Sequence, residues 1–175
     1  MKFNFTLFML ISVLLLTTCS ACSNSVDDDL GESTNYMKVT VDDKEEIYSD
    51  VSARWLEDGR SLEITATKSG SSWISITVLA PDKRVAAGVY ALNDASGFDI
   101  VAIHQQLRGD AQLNFSAVRN MISPTATFAM KLEKLTDRAV EGSFSGKLII
   151  LQGPTVLHQV ALTKGSFSTV IRSNN

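Results

Sequence analysis

Between residues 36 and 171 the chain is written in short runs that alternate apolar and polar side chains. Ile74, Ile76, Val78 and Ala80 interleave with Ser75 and Thr77. Leu62, Ile64 and Ala66 interleave with Glu63, Thr65 and Thr67, and Phe128, Met130 and Leu132 with Thr127, Lys131 and Glu133. A period of two puts successive side chains on opposite faces of a strand. The runs predict strands over 36–41, 44–48, 51–56, 61–68, 72–80, 89–92, 98–105, 111–119, 125–135, 140–151 and 156–171. The last is long enough to be two strands broken at Lys164-Gly165. Asp42-Asp43, Glu57-Asp58-Gly59, Ser69-Gly70-Ser71, Arg108-Gly109-Asp110 and Gly153-Pro154 supply turn chemistry between them. Only 112–122 offers a place for a helix. One apolar and one wet face per strand marks antiparallel pairing, and the apolar faces must be buried by stacking or closure. The expected fold is all-β: an antiparallel β-sandwich of about ten strands, with a lipocalin-like barrel as the alternative.

The first thirty residues obey a different pattern. Lys2 precedes an apolar run over 3–16, followed by Thr17-Thr18-Cys19-Ser20-Ala21-Cys22. A basic start, an apolar core of roughly 7–15 residues and a small-residue cleavage site make a secretory signal. The run falls short of the roughly 18–20 residues that cross a bilayer as a helix. The segment resembles the lipobox of bacterial lipoproteins, with Ser20-Ala21 before Cys22. Cys19 stands where Leu is usual. Cys19 is the fallback lipidation site: Leu16 is correctly placed before it, but Thr18 stands where a smaller residue is usual. A Cys19–Cys22 disulfide would require cleavage elsewhere. Asp27-Asp28-Asp29 resembles the acidic surface-export signal of Bacteroidetes lipoproteins, and its alternative is a solvated acidic tether. These resemblances imply a membrane partner, reached through an N-terminal lipid anchor. They place the chain at the outer membrane, facing outward, or otherwise facing the periplasm. The expected organisation is a signal peptide over 1–21, an acidic flexible tether over 22–35 and an all-β domain over 36–172.

Charge follows the same division. Residues 22–50 hold nine acids and two bases, whereas 51–175 hold ten acids and thirteen bases. Those bases are scattered, and nucleic-acid binding needs a concentrated basic face. With both cysteines at the cleavage region, cysteine usage speaks to lipidation rather than to a disulfide framework.

The search for chemistry finds little. His104 and His158 belong to no metal-ligand spacing, and each reads as a partly exposed strand histidine, so no metal or other cofactor is expected. Gly142-Ser143-Phe144-Ser145-Gly146 is a strand pattern and not a nucleophile elbow. Glu63, Asp99, Glu133 and Glu141 are carboxylates of the type glycosidases use, yet each fits the wet face of a strand. No phosphate-cradling loop appears. Trp73 falls among Ser and Thr on the polar face of its run, making it the candidate ligand contact, unless a neighbouring strand or loop covers it. Trp55 alternates with Val51 and Ala53, which places it in the core. Gly142 and Gly146 permit a bulge or a close backbone approach, with Phe144 and Phe167 filling the core.

The motifs Gly88-Val89-Tyr90-Ala91-Leu92, Val140-Glu141-Gly142-Ser143-Phe144-Ser145-Gly146 and Leu162-Thr163-Lys164-Gly165-Ser166-Phe167 resemble a family of small Bacteroidetes lipoproteins of unknown function. The resemblance covers roughly 36–171. It implies an all-β fold and supplies no catalytic residues. The functional expectation is a non-enzymatic cell-envelope lipoprotein that binds a protein, glycan or small molecule at the outer membrane. The alternatives are a lipocalin-like carrier of a small apolar ligand, an inhibitor or immunity lipoprotein and, last, an enzyme.

Overall fold

The computed structural model describes residues 35–56, 59–68, 72–119 and 123–172. The signal segment, Cys19, Cys22 and Asp27-Asp28-Asp29 lie outside the described residues. Eleven strands and no α-helix occupy that region: β1 (Tyr36–Val41), β2 (Lys44–Tyr48), β3 (Asp50–Leu56), β4 (Ser61–Lys68), β5 (Ser72–Leu79), β6 (Gly88–Ala91), β7 (Asp99–Arg108), β8 (Ala111–Val118), β9 (Thr127–Leu135), β10 (Ala139–Gln152) and β11 (Thr155–Arg172). The fold is all-β, as the alternation predicts. Of the segment with helical potential, residues 112–118 belong to strand β8, paired with β7 from Arg108↔Ala111 to Val101↔Val118, and residues 120–122 lie outside the described residues. Its Phe115 and Ala117 are buried while Asn114 is exposed, so period two prevails there.

The strands form a single sheet in the order β2-β1-β11-β3-β4-β5-β7-β8-β10-β9-β6, with β10 and β11 also paired to each other. The long β10–β11 hairpin is the spine. β11 carries β1 along one stretch and touches β3 at its end, in a parallel pairing of Ile171 with Ala53 and Arg172 with Arg54. β10 carries β9 along its first half and meets β8 at Ile149↔Ser116. The pairings therefore run from β11 through β3, β4, β5, β7, β8 and β10 back to β11. This closed circuit buries one face of its members, and its apolar side chains, with those of β1, β2, β6 and β9, form one core cluster from Met37 to Ile171.

Local chemistry explains the turns and the irregularities. Asp42 and Asp43 both take positive φ (44° and 68°), the conformation of the two-residue hairpin turn that matches strand twist. Lys164 also has positive φ, at 53°. It marks a bulge where the β11 register slips against both β1 and β10. One strand therefore spans the suspected break, kinked at the predicted place.

The glycine motifs are explained by cross-strand pairing with phenylalanine. Gly142 faces Phe167, Gly165 faces Phe144 and Gly146 faces Phe128. The three rings follow one another, with centroids 5.9 Å apart for Phe128–Phe144 and 6.3 Å for Phe144–Phe167. A Cβ on Gly165 would sit 2.7 Å from the Phe144 ring. A Cβ on Gly142 would strike the Lys131 carbonyl and lie 2.8 Å from Phe167. Each ring lies in the space that a side chain would need.

Candidate binding cleft

The register defines two ends. At one, the β1–β2 turn, the end of β4, the start of β5 and the tip of the β7–β8 hairpin converge. Between them lies a cleft of about 400 Å³ walled by Asp42, Lys44, Glu46, Lys68, Gln106 and Arg108, with Ser72 and the apolar Val41 and Leu107 also lining it. Lys44, Glu46 and Tyr48 share one face of β2, and burial deepens along it: Lys44 is exposed, Glu46 is half-buried and Tyr48 is fully buried in the core.

Beneath the cleft the polar groups are ordered. The Tyr48 hydroxyl donates to Glu46 Oε2 at 3.0 Å and lies 3.0 Å from Ser72 Oγ. A phenol has one proton, and Glu46 receives it, so Ser72 must donate to Tyr48 and keep its lone pairs free as acceptors. Burial raises the Tyr48 pKa far above its ordinary value; the Ser72 hydrogen bond opposes this and the Glu46 charge reinforces it. Lys68 Nζ stands 3.7 Å from the same Glu46 oxygen. Asp42 is tied to β11, its Oδ1 accepting from the Ala161 amide at 2.9 Å. Lys44 and Arg108 enter no ion pair among the described residues.

His104 corrects a sequence expectation: it is 1% exposed, not partly exposed. Ile100, Ala102 and His104 share the inward parity of β7, and that alternation is the signal that places it inside. The ring stacks on Phe115 with centroids 6.2 Å apart. Nδ1 lies 3.3 Å from the Trp73 carbonyl, which can only accept, so Nδ1 carries the proton. Nε2 is buried, and no hydrogen bond reaches it among the described residues. Burial lowers the His104 pKa, while the Trp73 carbonyl, the Glu46 charge and the Gln106 side chain oppose the shift.

The predicted contact, Trp73, is half-buried on β5 between Thr67 and Gln105, and its chain neighbour Ser72 lines the cleft. Trp55 packs at the edge of the core with the Arg84 guanidinium 3.9 Å above its ring. The four carboxylates are not brought together. Glu63 pairs with Arg54, Asp99 with Arg119, Glu133 with Lys131 and Glu141 with Lys134. His158 is exposed on β11, away from the buried environment of His104.

The chain matches no protein-family model, no curated protein and no solved structure.

The opposite end is built differently. Arg119 donates to the Asp94 carbonyl at 2.6 Å, the Phe98 carbonyl at 3.2 Å and Asp99 Oδ1 at 2.8 Å. Asp94 accepts from the Ala91 and Ser96 amides and from the Ser96 hydroxyl. Partial desolvation would raise the Asp94 pKa, but these hydrogen bonds, with the Arg119 charge, hold it below the ordinary value. Arg84 donates to the Gly59 carbonyl and pairs with Asp137, and Arg60 donates to the Pro81 carbonyl. There the charges hold loops in place, whereas in the cleft Lys44 and Arg108 face open space.

Proposed function

We propose that this chain is a lipid-anchored, non-enzymatic binding module of the bacterial cell envelope, held by Cys22 and presenting its β-domain outward from the outer membrane. The signal segment, the lipobox resemblance and the acidic run after Cys22 support the address. One observation carries the binding role: polar side chains from three separate hairpins converge on a single cleft above an apolar core. A cleft of this size falls in the range of small-ligand sites, which use a few placed polar groups for orientation. The polar walls of this cleft favour a hydrogen-bonding ligand received at this end over an apolar cargo carried inside, the lipocalin-like alternative.

Two measurements test the reading. Cys22→Ala should release the full-length protein from host membranes; release by Cys19→Ala alone would move the anchor to Cys19. Native mass spectrometry of the full-length lipoprotein, extracted gently from its host, should show a retained small-molecule adduct. A bare mass, with no partner co-purifying, would count against a binding module.

A further inference from the structure

Resting on that reading, we infer that the cleft takes a saccharide bearing a single carboxylate, with Arg108 as the residue that selects its charge. Asp42 and Glu46 offset Lys44 and Lys68, which leaves the positive charge of Arg108 in excess. A guanidinium presents a planar fork that matches a carboxylate in bidentate fashion. Arg108 closes β7 at the hairpin tip, exposed and without an ion pair among the described residues, so no neighbour competes for that fork.

The remaining groups require a ligand that both donates and accepts hydrogen bonds at neighbouring positions. Ser72 offers acceptor lone pairs, because its proton is directed to Tyr48. Asp42 offers its second carboxylate oxygen, since Oδ1 is taken by the Ala161 amide. Lys44 offers donors, and so does the Gln106 amide nitrogen. Sugar hydroxyls serve both roles at once. A simple inorganic anion would leave the acceptors at Ser72 and Asp42 without donors, and an apolar ligand would meet only Val41 and Leu107 and leave the polar walls unpaired. Trp73 adjoins Ser72 in the chain but does not line the cleft. Recognition here therefore rests on hydrogen bonds and charge rather than on stacking against that indole.

The test uses the full-length lipoprotein in detergent, with calorimetric titration of galacturonate and glucuronate, their neutral parents galactose and glucose, and inorganic sulfate. At least one acidic sugar should bind at least tenfold more tightly than its neutral parent, and more tightly than sulfate (roughly 1.4 kcal/mol per tenfold). Arg108→Gln should remove that preference, bringing the acid's affinity down to that of its parent. Arg108→Lys should restore only part of it, because the charge returns without the fork. Equal affinities for acid and parent in the native protein would overturn the inference, as would an acid preference that survives Arg108→Gln. Sulfate binding as tight as that of the acidic sugars would also overturn it, reducing the cleft to an anion site. If the host-derived adduct persists in Arg108→Gln while no probe sugar binds, this assignment fails and the binding-module reading stands. If neither adduct, partner nor probe binding is found, both fall.

Discussion

Arg108 and Arg119 flank the same eight-residue strand, yet the two ends of β8 use them in opposite ways. Arg119 is enclosed by three acceptors and fastens the 91–99 segment to the sheet. Arg108 stands at a hairpin tip beside exposed Leu107, and its guanidinium enters no ion pair among the described residues. The contrast extends to their surroundings. At the Arg119 end, Asp94, Arg60, Arg84 and Ser61 each hold a backbone group, and the loops they hold are long. At the Arg108 end the short β1–β2 and β7–β8 turns need little support, so charged side chains are left facing a cleft. A charge committed to the fold reports on stability, whereas an uncommitted one is available for recognition.

The largest expected effect tests the frame that both ends share. In Gly142→Val the new side chain collides with the Lys131 carbonyl and the Phe167 ring, forcing β9, β10 and β11 apart. We expect a loss of about 3 kcal/mol or more, seen as a lowered midpoint in chemical denaturation. Both ends should loosen together in hydrogen exchange; loosening of one end alone would show that the hairpin is not their common support. Next comes Arg119→Ala, which should cost about 2 kcal/mol, chiefly through the two carbonyls it leaves unbonded. The ion pair to half-exposed Asp99 adds little after solvent screening. Exchange should accelerate over 91–99 and stay unchanged at the cleft; a uniform change would erase the distinction between the ends.

Tyr48→Phe removes a hydroxyl that bonds Glu46 and Ser72. The expected loss is about 1 kcal/mol, since the ring still fills its place in the core. His104 adds a pH dependence. Its pKa is lowered by burial, so the unfolded chain, with an ordinary value near 6.5, binds the extra proton first. Stability is then complete above the unfolded value and falls as pH drops below it toward the folded pKa. His104→Phe should flatten this part of the stability–pH curve; an unchanged slope would mean that other groups produce it.

Much of the frame was legible in the residues. Alternation located all eleven strands, and Asp42-Asp43 and Gly153-Pro154 marked two of the turns, because strand period and turn chemistry are local. The Gly–Phe pairs were visible as motifs, but their partners were not, since Gly142 meets Phe167 only after β11 has folded back along β10. The closed circuit of pairings was equally out of reach: it depends on β11 meeting β3 and β10 meeting β8, neither pair consecutive in the chain. The cleft was the least legible feature. Asp42, Ser72 and Arg108 come from three hairpins, and each reads by itself as a turn or a solvated position. Only their arrangement in space gives them a shared role. His104 lay between these cases, because the parity of Ile100 and Ala102 already pointed it inward.

The smallest expected effect is the one that sharpens the comparison most. Arg108→Gln should leave the unfolding midpoint of the full-length protein nearly unchanged, within about 0.5 kcal/mol, as expected for a surface substitution away from a cap, core or network. Arg119→Ala measured alongside it supplies the contrast: two arginines, one strand, and a difference of well over 1 kcal/mol expected between them. If Arg108→Gln instead destabilises the protein as much as Arg119→Ala, the guanidinium supports the hairpin tip and cannot be counted as free for a ligand. If stability holds while acidic-sugar binding is lost, the same substitution separates folding from recognition at a single side chain.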